Sequence, residues 1–415
     1  RPVDRLLGML FRDHREYGSR DRRLIGDLVF AVMRWWGWLY GLAGQPDPGA
    51  PVAVQRLTPG VCSRLLAVAA LLEGEDDLPL AALWAPRLDL DWAAACREAS
   101  TGDLAARGHA LRRLLGTAAP ARPPAPGDLV PAAWLARIES PRPQDEFIEW
   151  CQRRPPVWLR VQRGTVAAAR EALARDGLAI EPHPRFDDAL RITAGRASFP
   201  ALAAYREGLV EVQDLASQAV GRACAPVPGQ RWWDACAGGG GKSLQLARLM
   251  NGRGTVLATD VRPYKLDDVR RRAVRADLHN IVCRAWDGRP PDPRKAAFDG
   301  ILIDAPCTCS GTWRRNPDAR WRTTAADLDE LPRTQAAILD AVAAALKPGG
   351  VLVYATCSVF ACENREAVAG FLARHPEYAP QPFPNPLTGA PTDGTLQIWL
   401  WDGDGDAMFV ARLQR

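Results

Sequence analysis

The segment that most constrains the fold is a glycine-rich stretch, W-D-A-C-A-G-G-G-G-K-S-L-Q-L, at residues 233–246. A short apolar run ends at Asp234, four glycines occupy 238–241, and Lys242 then opens an apolar helical pattern. Glycine permits left-handed backbone and close approach of a ligand to the main chain. The first N–H groups of the new helix point into the same space. This order predicts a nucleotide-like cofactor site at the carboxyl ends of the strands of an α/β sheet.

Two familiar phosphate-binding patterns do not fit this loop. A P-loop requires a glycine five residues before Gly241, where Cys236 stands. The dinucleotide pattern G-x-G-x-x-G fails because Lys242 and Ser243 occupy its last part. Because a glycine run alone also fits an ordinary loop, the nature of the cofactor depends on the strands that follow.

Composition sets broad limits on the class of protein. The length of 415 residues favours two or three domains. No apolar run reaches the roughly 18 residues of a membrane helix. The first residues, R-P-V-D-R, lack the apolar segment of a secretory signal, so we expect a cytoplasmic protein without a membrane contact. Since the first residue is not Met, we also expect a trimmed chain.

Composition and periodicity divide the chain into four predicted parts. Residues 1–118 show helical periodicity only, and 119–154 begin with a proline-rich linker. Residues 155–228 predict a small α/β module, and 229–415 alternate strands with helices in the manner of a doubly wound parallel sheet. The prediction is an α/β protein whose Rossmann-like domain follows an all-α domain and a small α/β module. The net charge of +5 and a basic face on the first helices permit RNA binding but equally fit a solvated surface.

Acidic residues follow three successive strands of the predicted sheet. Asp260 ends the strand after the glycine loop, and Asp287 and Asp304 follow the next two strands. An acid in the place of Asp260 suits the paired hydroxyls of a ribose. The other two can reach an adenine amine or a substrate base. Because the loop lacks a strong phosphate cradle, S-adenosylmethionine fits this set better than ATP.

Two cysteines stand where the chemistry is expected. Cys307 lies in D-A-P-C-T-C-S-G-T, and Cys357 lies in Y-A-T-C-S, each after a predicted parallel strand. Two such thiols suit the methylation of cytosine at C5. The C5 carbon is a poor nucleophile, but addition of a thiolate to C6 makes C5 enamine-like, so that it can take a methyl group from a sulfonium. A carboxylic acid can assist at N3, and a base must later remove the C5 proton. A thiol in this role needs an environment that takes its proton.

The remaining cysteines point to no metal site. The ten cysteines form no C-x-x-C pair and the five histidines are far apart in sequence, so no metal is predicted. In a cytoplasmic protein we expect free thiols.

The longer motifs carry a family resemblance. D-A-C-A-x-x-G-G-K-S, D-A-P-C-T-x-S-G-T with R-R-N-P-D-x-R-W, and K-P-G-G-x-L-V-Y-A-T-C-S with E-N resemble the Sun/Fmu (RsmB-like, NOP/Sun) family of RNA cytosine-5 methyltransferases. The N-terminal R-D-R-R-L-I-G-D-L-V-F-A-V-M-R-W is similar to the NusB-like domain of the bacterial ribosomal-RNA branch. The resemblance covers almost the whole chain and implies a class I methyltransferase domain.

The resemblance also implies roles for single residues. Cys357 would be the nucleophile, Cys307 would assist product release as base or shuttle, and Asp304 would hydrogen-bond the cytosine. Spacing alone cannot decide whether Cys307 or Cys357 is the nucleophile. DNA cytosine methyltransferases use the cysteine of a P-C motif, and a comparison with them would favour Cys307 as the nucleophile. The implied S-adenosylmethionine site comprises Cys236, Ala237, Gly238, Gly239, Gly240, Gly241, Lys242, Asp260, Asp287 and Asp304.

The resemblance implies RNA as the partner and small-subunit (16S) ribosomal RNA as the substrate. We expect the protein to be a monomer. Cations and aromatic residues near Cys307 suit an unstacked RNA loop; the cations are Arg314, Arg315, Arg320 and Arg322. The alternatives are the same chemistry on transfer RNA or another RNA, and a non-catalytic RNA-binding ribosome-assembly factor. One departure is visible: the family's usual C-A-A-P-G-G-K has Gly238-Gly239 in place of Ala-Pro, which we expect to loosen the loop.

Overall fold

The computed structural model describes residues 2–45, 47–48, 57–116, 122–195, 198–289 and 298–415. Residues 119–121 of the predicted linker lie outside this part of the chain. Two compact units are formed: Arg1–Arg154 with Thr312–Thr323, and Pro155–Gly311 with Thr324–Arg415. The inserted segment 312–323, which carries the arginines expected to bind RNA, therefore belongs to the first unit. The predicted division of the second unit into two domains stays a prediction.

The helices and strands are numbered in chain order. The helices are α1 Val3–Asp13, α2 Ser19–Leu39, α3 Pro59–Glu73, α4 Ala81–Leu88, α5 Trp92–Ser100, α6 Leu104–Leu115, α7 Ala132–Leu135, α8 Gln144–Gln152, α9 Val166–Arg175, α10 Ala203–Arg206, α11 Leu215–Ala223, α12 Gly241–Leu249, α13 Pro263–Arg275, α14 Ala319–Arg322, α15 Ala325–Ala343 and α16 Arg365–Arg374. The strands are β1 Val157–Val161, β2 Ala179–Pro182, β3 Ala189–Ala194, β4 Val210–Val212, β5 Arg231–Asp234, β6 Thr255–Asp260, β7 Ile281–Ala285, β8 Phe298–Asp304, β9 Leu346–Thr356, β10 Ala379–Pro380, β11 Thr395–Ile398 and β12 Met408–Gln414.

The described part of the first unit is helical, in agreement with its sequence periodicity. Three of its helices, α3, α5 and α6, start at the side-chain caps Thr58, Asp91 and Asp103, whose oxygens accept a free N–H group of the first turn. Glu73 at the end of α3 is buried and receives hydrogen bonds from Arg34 and Trp35 of α2. A buried carboxylate is stable only with such partners, so this pair fixes how α2 and α3 pack. No helix of the described residues combines the length and the hydropathy that a bilayer crossing requires.

The larger sheet of the second unit has the strand order β10-β12-β9-β8-β5-β6-β7, with β11 paired to β12. The five strands from β9 to β7 are parallel, and β12 is antiparallel to β9. The order reverses between β5 and β8, because the chain runs outward from β5 through β6 and β7 and then returns to β8. In open α/β sheets, ligands bind beyond the carboxyl ends of the strands at such a switch point.

The smaller sheet, β2-β3-β1-β4, is antiparallel and precedes the glycine loop. Extended runs in the sequence at 157–161, 179–181 and 209–212 predict strands that match β1, β2 and β4, but no pattern indicated β3 or the β11–β12 hairpin. The apolar run 351–354 predicts that β9 starts at Val351, whereas the strand begins at Leu346. Pro348 and Gly349 usually break a strand, but here they lie at its outer end, where the ladder to β8 is irregular.

Asp234, at the end of β5, is buried and joins the sheet to α12. The hydroxyl of Ser243 donates to its Oδ2 at 2.6 Å, and its buried Oδ1 has no hydrogen-bond partner among the described residues. Burial raises the pKa of Asp234 to about 7. A neutral carboxyl is therefore favoured at this position in the folded chain.

The raised pKa predicts a specific pH dependence of stability. Between the unfolded pKa of about 4 and the folded value, the folded state binds the Asp234 proton more tightly than the unfolded state does. This stabilisation is complete below about pH 4 and is lost as the pH rises through the folded pKa, by at most about 1.4 kcal/mol per pH unit. Urea unfolding from pH 5 to 8 should show this decline in the wild type and a flatter profile in Asp234→Asn. Parallel profiles for the two proteins would contradict the assignment.

Candidate active site

The glycine loop after β5 has a backbone that only glycine adopts easily. Gly238 and Gly240 have φ values of 52° and 82°, in the left-handed region. A Cβ atom on Gly240 would lie 2.9 Å from both methyl carbons of Val269 in α13. Both the conformation and the lack of space therefore require glycine at 240. The loop lies against α13 and presents its main chain at the switch point of the sheet.

Asp260, at the end of β6, is tied to this loop. Its Oδ2 accepts the Gly238 N–H at 3.0 Å, and the main chain and guanidinium of Arg262 donate to the same carboxylate. Burial acts to raise the pKa of Asp260, but these hydrogen bonds outweigh it and hold the pKa below its usual value. Asp260 is thus an ionised acceptor beside the glycine loop.

Lys242 and Asp304 form an ion pair across the switch point. Lys242 is in the first turn of α12, Asp304 ends β8, and Nζ lies 2.8 Å from Oδ2. Burial and the neighbouring Cys357 raise the pKa of Asp304, and together they outweigh Lys242, which lowers it. Asp304 is therefore protonated more easily than an exposed carboxylate. The predicted residues Gly238, Asp260, Lys242 and Asp304 are therefore assembled at one edge of the sheet.

Two other predicted cofactor residues are in different surroundings. Cys236 is half-buried below the loop, and burial raises its pKa. Asp287 is exposed, and its Oδ1 accepts the N–H of Arg289 in its own turn. Its neighbour Trp286 donates a main-chain hydrogen bond to the carbonyl of Asp260. A role for Asp287 stays a prediction.

The two predicted catalytic cysteines meet in space. Their sulfurs lie 3.4 Å apart although the residues are separated by 50 positions. A third thiol, Cys309, joins them, and all three sulfurs lie within 4.8 Å of one another. Each of the three residues is half-buried and so open to a ligand. The sequence analysis assigned no role to Cys309.

The three thiols share protons. Hydrogen bonds from Cys307 and Cys357 lower the pKa of Cys309 to about 4. The hydrogen bond with Cys307 acts to lower the pKa of Cys357, but the bond with Cys309 and burial raise it by more. The hydrogen bonds with Cys309 and Cys357 also raise the pKa of Cys307. The ionisation of each thiol therefore depends on the other two.

A buried carboxylate that the sequence analysis missed fixes the cysteine loops. Glu363 is fully buried, and its Oε1 accepts the N–H of Thr308 at 2.9 Å and the amide of Gln335 at 3.1 Å. Its Oε2 accepts the hydroxyls of Thr308 and Ser358 at 2.6 and 2.5 Å. Thr308 follows Cys307 and Ser358 follows Cys357. One carboxylate therefore holds both loops, and the E-N pair in the motif was its only sequence signal.

The expectation that Arg314 and Arg320 bind RNA is wrong for a physical reason: both are buried, with 1% and 0% exposure. Arg314 donates to the carbonyls of Arg153 and Arg154, and Arg320 donates to those of Leu129, Cys151 and Trp313. Their guanidinium groups satisfy main-chain acceptors inside the first unit. Arg315 is exposed, and Arg322 is partly exposed and pairs with Asp318.

A basic groove in the second unit lies beside the glycine loop. It encloses about 500 Å³ and includes Gly239 and Val212 in its lining, with the four cations Lys265, Arg271, Arg272 and Arg275. The buried carboxylate of Glu211 in β4 binds Arg272 and Arg275, and Arg272 also donates to the carbonyl of Gly239. The sequence analysis assigned no role to this surface.

Comparison with known proteins is consistent with this site. The family model described as 16S rRNA methyltransferase RsmB/F matches residues 222–414. Ribosomal RNA small subunit methyltransferase B of Pectobacterium atrosepticum is 36% identical over 291 residues, which is 69% of this chain and 66% of that protein. Residues 222–414 thus match the RsmB/F methyltransferase family model. The match to the Pectobacterium protein spans slightly less than two thirds of that protein's length.

Solved structures share the fold of this chain. The crystal structure of PH0851 covers 98% of this chain and 93% of its own, with 23% identity and a TM-score of 0.75. The structure of NSun6 from Pyrococcus horikoshii with SFG covers 68% of this chain and 96% of its own, with 17% identity and a TM-score of 0.58. The neighbours support the Rossmann-like methyltransferase fold.

The Glu363 contacts predict a graded effect of substitution. Glu363→Ala removes the acceptor that four buried donors share, and each donor left unsatisfied costs about 1–3 kcal/mol, so unfolding should occur at clearly lower denaturant concentration. Glu363→Gln keeps one carbonyl oxygen and the volume and should lose much less. Guanidinium unfolding of the two variants measures the difference. Equal stability of the two variants would show that the carboxylate does not hold the loops.

Proposed function

We propose that this chain methylates C5 of a cytidine in RNA, with S-adenosylmethionine as cofactor and small-subunit (16S) ribosomal RNA as substrate. The observation that carries the proposal is the pair of strand-end thiols, 3.4 Å apart, beside the Lys242–Asp304 ion pair. Similarity to the RsmB/F family model and to ribosomal RNA small subunit methyltransferase B supports the ribosomal substrate.

The residues present fit the proposed cofactor. The glycine loop leaves main-chain atoms open at a place where a Cβ on Gly240 would clash, and Asp260 offers an ionised acceptor for ribose hydroxyls. Cys236 to Lys242, Asp260, Asp287 and Asp304 would hold it. S-adenosylmethionine supplies an electrophilic methyl group when it is bound.

Cys357 is the proposed nucleophile. Its thiolate forms a bond to C6 of the cytosine, and the electron pair of the C5–C6 double bond shifts to make C5 nucleophilic. Asp304, whose pKa is raised by burial, holds a proton for N3 and assists this addition. Lys242 lies close enough to Asp304 and Cys357 to stabilise negative charge on either side chain.

Cys307 is the proposed base for product release. After methylation, C5 carries both the methyl group and a proton. The Cys307 thiolate takes this proton, the C5–C6 double bond re-forms, and the bond between C6 and the Cys357 sulfur breaks. The 3.4 Å separation of the two sulfurs places the base beside the leaving thiolate.

RNA contact is assigned to exposed cations. Arg315 and Arg322 remain candidates, and the basic groove by Gly239 offers a path for a phosphate backbone near the cofactor site. The helical unit is proposed as a NusB-like RNA-binding domain in which α1 and the turn after it carry exposed Arg5, Arg12 and Arg15. Such contacts make binding depend strongly on salt.

A methyl-transfer assay tests the reaction and the two cysteine roles. Unmodified small-subunit ribosomal RNA with isotopically labelled S-adenosylmethionine should give label in 5-methylcytidine after digestion to nucleosides. Cys357→Ala should abolish the label because the addition to C6 is lost. Cys307→Ala should accumulate a covalent protein–RNA adduct because the C5 proton is not removed.

Cys283→Ser, which changes a thiol on β7 away from the cluster, is the matched control and should keep full activity. Label in another nucleoside would refute C5 chemistry. Label in transfer RNA but not in ribosomal RNA would keep the chemistry and refute the substrate. Cofactor binding without any transfer to RNA would favour the assembly-factor alternative.

A further inference from the structure

The third thiol of the cysteine cluster has no part in the proposed reaction. Among the described residues, Cys307, Cys309 and Cys357 are the only three histidine, cysteine or acidic side chains whose ligand atoms approach to within 4.8 Å of one another. The predicted absence of a metal site rested on sequence spacing, which requires C-x-x-C pairs. In the structure, Cys307 and Cys309 lie in one loop, and the third sulfur belongs to Cys357, which follows the neighbouring strand β9 about 50 residues later in the chain.

The three sulfurs are held in place by the fold rather than by one flexible loop. Cys307 follows β8, Cys357 follows β9, and these strands pair directly. Cys309 has a φ of 59°, an unfavourable left-handed conformation for a residue with a side chain. Its neighbours Thr308 and Ser310 are fixed by hydrogen bonds to Glu363 and Ser358. The surrounding hydrogen bonds thus hold Cys309 in an unfavourable backbone conformation that places its sulfur beside the other two.

The distances suit a metal thiolate. Zinc–sulfur bonds of about 2.3 Å place the sulfurs of a trigonal or tetrahedral site about 3.8–4.0 Å apart. The cluster spans from 3.4 Å to within 4.8 Å, so only small side-chain movements are needed. Thiolates select soft cations. Three protein ligands leave a fourth position open, since all three residues are half-buried.

We propose that Cys307, Cys309 and Cys357 form a three-thiolate site for a thiophilic d¹⁰ cation such as Zn²⁺. Binding forms three metal–sulfur bonds and releases the protons that the thiols carry, so affinity rises with pH. A water molecule completes the fourth position. Lys242 lies on the same side of the sheet and offsets part of the negative charge.

The consequence rests on the proposed function. The metal occupies both the nucleophile and the release base, so metal binding and methyl transfer exclude each other. Substoichiometric Zn²⁺ should inhibit in proportion to the amount bound, and a chelator should restore activity. Cys309 would set this sensitivity without contacting the cytosine.

The test is Cd²⁺ titration of the reduced full chain, without RNA or cofactor, followed by ultraviolet sulfur-to-metal charge transfer. We expect one ion per chain at this site, displaced by Zn²⁺. Cys309→Ser should weaken binding by on the order of 100-fold or more, because removal of even a supporting group costs 10- to 100-fold. Cys283→Ser is the matched control for a half-buried cysteine elsewhere and should bind as the wild type does.

Equal Cd²⁺ affinity in Cys309→Ser and the wild type would overturn the proposal, as would the absence of a charge-transfer band. A cluster that forms a disulfide with a mild oxidant but takes no Cd²⁺ would also overturn it, in favour of a redox pair. The thermal midpoint of Cys309→Ser shows whether a loss of binding reflects unfolding. Because binding is measured without methyl transfer, a chain that takes Cd²⁺ but does not methylate RNA refutes the proposed function alone.

Discussion

The direct pairing of β8 with β9 is the contact on which the site depends. Asp304 stands level with Ala355 in this parallel ladder, so the residues just after each strand emerge at the same height. Cys307 and Cys357 therefore meet although 50 positions separate them. The reversal of strand order next to β8 opens the crevice in which Lys242 and the glycine loop face them.

The site concentrates carboxylates that are buried or half-buried, and three of them have specific partners. Glu363 serves four donors, Asp260 is held by Gly238 and Arg262, and Asp304 is paired with Lys242. Buried charges are costly unless they are paired. The same pairing fixes the side chains before a ligand arrives, which is what catalysis by positioning requires. In this site, stability and preorganisation depend on the same hydrogen bonds.

Much of this arrangement was predictable from local patterns. Glycine conformation, strand-end acids and alternating elements follow from short-range chemistry, so the loop at 238–241 and Asp260 were located correctly. Burial of an arginine depends instead on which carbonyls the tertiary fold leaves unpaired, and so Arg314 and Arg320 were placed on the surface wrongly. Cys309 and Glu363 were missed because their roles arise only when two loops meet across β8 and β9. The β11–β12 hairpin was missed because it lacks the alternation of strands with helices from which the parallel strands were predicted.

The central claim is that Cys357, rather than Cys307, bonds to the cytosine. The most direct measurement is mass spectrometry of the protein after reaction with RNA that contains 5-fluorocytidine. Fluorine replaces the C5 proton that a base must remove before release, so the covalent adduct persists. Peptide mapping should place the nucleotide on Cys357 in the wild type, and Cys357→Ala should give no adduct. An adduct on Cys307, or an adduct that survives Cys357→Ala, would contradict the account.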